Sequence, residues 1–269
     1  MRRWTLVASA LLLVLDFGAE ALGIEPRWID VRPLRDLGNR WRGGRVLSDI
    51  ECRMPAGHQY AFPGMPMTWA HESTHGLNSN LRMAEYRKAR RKVNALYCLD
   101  GRAVVIDEPK GRLSAVARSL PRGLRGVSFQ LYFGRQLQWW DTTPSYCLDE
   151  WVAYTNGSLC GREVREHGWH YELLQAINFS IYALAMAQEV TASDPTYDHE
   201  QLREFIAWNA LRTMTIYREL IESGERGTHV EGATRYLATF LGSEEARGLR
   251  DFARKYLGEE KFQEIFQPK

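Results

Sequence analysis

Apolar residues recur at three- and four-residue intervals through positions 171–190 and again through 200–222, and this spacing predicts two long amphipathic helices. Shorter helices are expected at 233–241 and 244–256. Earlier in the chain, Pro66 suits a first helical position, where its missing N–H has no partner to lose. A helix is therefore predicted from Pro66 to about Asn78, with Asn78-Ser79-Asn80 as its end. Leu96-Tyr97-Cys98-Leu99 and Ala103-Val104-Val105-Ile106 are β-rich runs flanking the turn dipeptide Asp100-Gly101, which is a hairpin pattern. Residues 127–133 are a further candidate strand. Residues 24–45 carry several Arg, Trp, Pro and Gly without a clear period and read as extended or irregular chain packed on a core. The expected fold class is α+β, predominantly α: a small sheet beside one early helix, followed by a helical C-terminal half.

Composition narrows the function classes. With 45% hydrophobic and 25% charged residues in 269, the chain can bury a sizeable core, and intrinsic disorder is excluded. A formal net charge of +2 provides no whole-protein field for gathering nucleic acid, so a dedicated nucleic-acid binder is not expected. Arg82, Arg87, Lys88, Arg90, Arg91 and Lys92 do form a local basic stretch, read first as a solvated helix face and second as a site for an acidic polymer or leaving group.

The N-terminus describes a compartment. Met1-Arg2-Arg3 is basic, residues 4–15 are apolar apart from Thr5 and Ser9, and Ala19-Glu20-Ala21 matches a cleavage signature. Residues 1–21 are accordingly expected to be a signal peptide and 22–269 a single exported domain, secreted or periplasmic. A membrane anchor would need about 20 apolar residues, and Asp16 ends the run too early. No stable membrane anchor is thus expected after signal cleavage. Residues 22–45 are long enough for a short inhibitory segment.

Four cysteines, Cys52, Cys98, Cys147 and Cys160, are an even number in an exported chain and point to disulfides. Chain order favours Cys52 with Cys98 and Cys147 with Cys160. If the latter two share one helix, however, 13 residues separate them by about 20 Å, against the roughly 4.4–6.8 Å a disulfide tolerates between Cα atoms. That pair requires the chain to double back near Gly157.

The chemistry lies in His71-Glu72-Ser73-Thr74-His75, inside the helix predicted from Pro66. Histidines at i and i+4 project from one helical face one turn apart, a spacing that lets both ring nitrogens reach one Zn²⁺. Glu72 lies beside them, placed to hydrogen-bond a water without ligating. A catalytic zinc takes three protein ligands and keeps one position open, so a third ligand is needed. Residues 149–157, Asp-Glu-Trp-Val-Ala-Tyr-Thr-Asn-Gly, place Glu150, Ala153, Tyr154 and Gly157 on one helical face. Small residues there permit close approach, Glu150 can complete the zinc sphere, and the Tyr154 phenol can donate to a developing oxyanion. Asp149, His167 and His170 are alternative third ligands, and His58 is a lone loop histidine. The sequons at Asn156 and Asn178 fall in predicted helices and carry no weight.

Residues 68–76 resemble the active-site helix of the zincin metallopeptidases, and the E-x-x-A segment from Glu150 resembles the glutamate helix of the gluzincins. The resemblance implies one Zn²⁺ per chain held by His71, His75 and Glu150, with Glu72 as general base in hydrolysis of a peptide or protein substrate. A cell-wall peptide hydrolase is the alternative within enzymes; a zincin-like binding module without turnover is the alternative outside them.

Overall fold

The computed structural model describes residues 19–20, 22–37, 44–55, 62 and 64–267. His58, and all of the expected signal peptide except Ala19 and Glu20, lie outside them. The described chain is α+β and mostly helical. Its strands are β1 (Trp28–Asp30), β2 (Val93–Tyr97) and β3 (Arg102–Asp107), in an antiparallel sheet of order β1-β3-β2. The long helices are α1 (Gly44–Glu51), α2 (Pro66–Ala89), α3 (Leu113–Ser119), α4 (Tyr146–Val164), α5 (Trp169–Ser193), α6 (His199–Glu222), α7 (Thr228–Gly242), α8 (Arg247–Leu257) and α9 (Glu259–Phe266). None of the described helices is long and apolar enough to cross a membrane.

The hairpin forms where the turn dipeptide predicts it. Leu96 pairs with Val104 and Asn94 with Ile106, and the chain reverses through Leu99, Asp100 and Gly101, all in the left-handed region. Residues 24–45 supply the third strand, β1, and Arg27 anchors it by bonding Gln201 on α6 and Asp198, the N-cap of that helix.

At the centre is α4. Every residue from Tyr146 to Gly161 is buried, which marks a helix surrounded by protein on all sides. Its principal neighbours are α2 and α5, with α1 and β2 also against it. Close approach is achieved at two glycines one turn apart. A Cβ on Gly157 would lie 2.6 Å from Glu172 Oε2, and one on Gly161 would lie 2.7 Å from Trp169 Cβ and 2.9 Å from Met67 Sδ.

Three expectations are corrected. Helix α2 does not stop at Asn78-Ser79-Asn80 but continues to Ala89, where Arg90 closes it in the left-handed conformation. The Asn78 side chain is engaged in tertiary bonds, donating to Asp149 and accepting from the Tyr97 N–H, so it does not compete with the helical backbone. Residues 127–133 are not a strand: Val127–Phe129 is helical and continues into a π-helix at Gln130–Arg135. Here Tyr132 and Phe133 turn inward, and tertiary packing of these aromatics overrides their strand preference.

The third correction concerns the cysteines, none of which forms a disulfide. Cys147 and Cys160 lie on one continuous helix, α4, and the chain does not double back at Gly157. Each thiol has another neighbour: Cys52 donates to Asp49 O, Cys98 to Leu96 O, Cys147 to Met186 Sδ and Cys160 to Pro66 O.

Candidate metal centre

Helices α2 and α4 face each other across the His71-Glu72-Ser73-Thr74-His75 turn. The Nε2 atoms of His71 and His75 lie 3.2 Å apart. Glu150 Oε2 lies 3.9 Å from the first and 3.6 Å from the second. A triangle with these sides has a circumradius of about 2.1 Å, which matches zinc bond lengths of about 2.0–2.2 Å to imidazole and carboxylate. Among the described residues this is also the cluster of three ligand-type side chains close enough to share one ion.

One atom in the trio is anomalous. Glu150 Oε2 is buried and has no hydrogen-bond partner, and 3.6 Å to His75 is beyond hydrogen-bond reach. An orphaned carboxylate oxygen in the interior is costly. A cation bound to both imidazoles would remove that cost, so the donor set fits zinc both in distance and in chemistry.

The imidazoles are oriented from behind. His71 Nδ1 is 2.9 Å from Glu172 Oε2 on α5, and His75 Nδ1 is 3.2 Å from Asp149 Oδ2. Each Nδ1–H therefore donates to a carboxylate, and this turns Nε2 toward Glu150, the arrangement found behind metal-ligating histidines. Asp149 is itself held by Asn78, whose amide donates to Oδ1 at 2.5 Å. Adjacent on α4 and about 100° apart, Asp149 and Glu150 serve different atoms of the same histidine.

Glu150, Asp149 and Glu172 make a field that favours a cation. His75 reports it. Burial opposes a charge on this ring, yet Glu150 and Asp149 outweigh burial and hold its pKa well above the usual histidine range. Burial likewise works to raise the Glu150 pKa, and the neighbouring His75 overrides it and lowers it.

Comparison with protein-family models, with curated proteins and with solved structures returned no match.

The remaining sequence candidates separate cleanly. Glu72 is half-buried and makes no hydrogen bond or ion pair among the described residues, so its carboxylate is uncommitted. Tyr154 packs its ring edge-on against His71 at 4.4 Å, and its hydroxyl pairs with that of Tyr132 at 2.7 Å. Neither His167 nor His170 joins the cluster: His167 is exposed, and His170 bonds Glu225. The basic stretch is largely solvent-facing, with Lys88 on Glu85, Arg91 on Asp107 and Lys92 on the Thr142 carbonyl.

Sequence reasoning missed Glu172, Tyr132 and Tyr146. Tyr146 donates to Glu150 Oε1, and as the residue one turn before Glu150 it was detectable by helical spacing. Tyr132 arrives on the π-helix, an irregularity often found at functional sites. Glu172 has no signal in the sequence, since only the packing of α5 on α4 brings it to His71.

Proposed function

We propose that the protein is a zinc-dependent metallohydrolase with a zincin-like, gluzincin-type centre, and that it cleaves peptide bonds in a peptide or protein substrate. The observation that carries this reading is the buried, unpartnered Glu150 Oε2 beside two imidazoles whose Nδ1 atoms are already committed. His71, His75 and Glu150 would hold one Zn²⁺. Zinc there would supply Lewis acidity, making a water acidic near neutral pH and polarising a carbonyl. Glu72, uncommitted beside His71 in the same turn, would accept the water's proton and pass it to the leaving amine. Tyr154 would stabilise the developing oxyanion through its hydroxyl, steadied by the Tyr132 pair.

Export belongs to the same proposal and rests on residues 1–21 alone, because the cysteines form no disulfide that would have lent it support. Sequencing the N-terminus of chain recovered outside the cytoplasm should begin at Leu22.

Metal analysis of the purified chain tests the centre: one zinc per chain is expected, and its loss on His71→Ala or His75→Ala. Glu72→Gln should retain zinc while hydrolysis of a peptide substrate falls by about 10²–10⁴-fold. Full zinc content in either histidine variant would reject the ligand assignment, and unaltered hydrolysis in Glu72→Gln would reject the base.

A further inference from the structure

A carboxylate can meet a metal through one oxygen or through both, and the choice changes how many positions remain for water and substrate. At Glu150 the two oxygens are not equivalent. Oε2 is buried, unpartnered and turned to His71 and His75. Oε1 accepts a hydrogen bond from the Tyr146 hydroxyl, one helical turn earlier on α4. The Tyr146 ring is fixed in turn, stacked on Trp140 with centroids 4.0 Å apart and 9° between planes. Its hydroxyl also lies 3.1 Å from Gln136 Oε1, a second acceptor for the same hydrogen. Since a phenol has one hydrogen, Glu150 Oε1 and Gln136 Oε1 compete for it, and the carboxylate is the stronger acceptor. The Tyr146 phenol therefore engages Oε1 of Glu150 and leaves Oε2 to face the imidazoles.

Resting on the metal-centre reading above, we propose that Tyr146 is a positioning residue that restricts Glu150 to ligation through Oε2. The consequence is a sphere of three protein donor atoms with a position left open. Without the phenol, Oε1 would lose the hydrogen bond that holds it away from the imidazoles. Rotation of the carboxylate would bring it to the metal and fill the open position. Phe at 146 keeps the stack on Trp140 and removes only the hydroxyl.

The experiment uses the full chain loaded with Co²⁺, whose visible absorption weakens as coordination number rises. Wild type should take up one Co²⁺ per chain and show the intense bands of a low-coordinate site. Tyr146→Phe should keep one Co²⁺ per chain, with band intensity reduced about twofold or more as the sphere expands. A Gln136→Leu variant should leave the bands as in wild type, because it removes a competing acceptor and keeps the phenol on Glu150.

A wild type that takes up no Co²⁺ or Zn²⁺ would overturn the metal-centre reading itself. One Co²⁺ per chain with identical bands in wild type and Tyr146→Phe would overturn the role of Tyr146 and leave the metal centre standing. Loss of metal from Tyr146→Phe alone would also overturn it, because the inference requires retention. A crystal structure of zinc-loaded wild type tests the inference without any variant. Oε2 alone should lie within about 2.0–2.2 Å of the metal, with Oε1 still on Tyr146, whereas ligation by both oxygens would refute it.

Discussion

His71 and Glu172 are 101 residues apart in the chain and share a buried hydrogen bond, Nδ1 to Oε2 at 2.9 Å. This bond ties the turn of α2 that carries His71 and His75 to α5, a helix with no residue in the proposed ligand set. Carboxylates in this position orient a histidine and raise its basicity, and their removal lowers metal affinity by about 10–100-fold. Glu172→Ala should show a loss of that size in competition with a chromogenic chelator, and Glu172→Gln a smaller one. Unchanged affinity in Glu172→Ala would remove it from the site.

Gly157 is the gap through which this bond forms. A methyl group at 157 would sit 2.6 Å from Glu172 Oε2 and 3.4 Å from His71 Cβ. The second contact is ordinary, so the carboxylate would have to move and release His71. Gly157→Ala should therefore reproduce the zinc defect of Glu172→Ala, and the two changes combined should lose little more than either alone. Gly232, inside α7, meets only Leu174 side-chain carbons at 3.4 and 3.9 Å. Gly232→Ala should stabilise the fold by about 0.5–1 kcal/mol in denaturant unfolding, as expected for relief of glycine entropy in a helix.

Asp149 and Glu150 divide the support of His75 between its two nitrogens, and their variants should separate. Asp149→Ala leaves the three donor atoms in place and should weaken zinc by about 10–100-fold. Glu150→Ala removes a donor and should weaken it more, as read by the same chelator competition. Equal losses would contradict the division.

The thiols are reduced and unequal in access. Cys52 is half-buried, and Cys98, Cys147 and Cys160 are buried. Burial pushes the Cys98 thiol up to about 12 and drives Cys147 and Cys160 up as well, so their reactive thiolates are scarce near neutral pH. A thiol reagent should modify Cys52 first in the native protein. In denaturant without reductant it should find four thiols per chain; two or none would restore a disulfide.

Local sequence determined what depends on one turn of helix. The i, i+4 spacing of His71 and His75 puts both rings on one face wherever α2 sits, because 3.6 residues per turn is a property of the backbone. The same rule placed Glu150, Ala153, Tyr154 and Gly157 together, and it also reaches Tyr146. The Asp100-Gly101 hairpin and the long apolar periods of α5 and α6 are local in the same sense. Tertiary structure decided the rest. Only the docking of α4 on α2 assigns Glu150 to the Nε2 atoms and Asp149 to Nδ1, and only the packing of α5 through the Gly157 gap delivers Glu172. It carried α2 through Asn78-Ser79-Asn80 by giving Asn78 partners on α4 and β2, and it drew 127–140 into helical turns to bury Tyr132. It also kept four cysteines apart, since an even count states what could pair, and the continuous course of α4 through Gly157 holds Cys147 and Cys160 too far apart to do so.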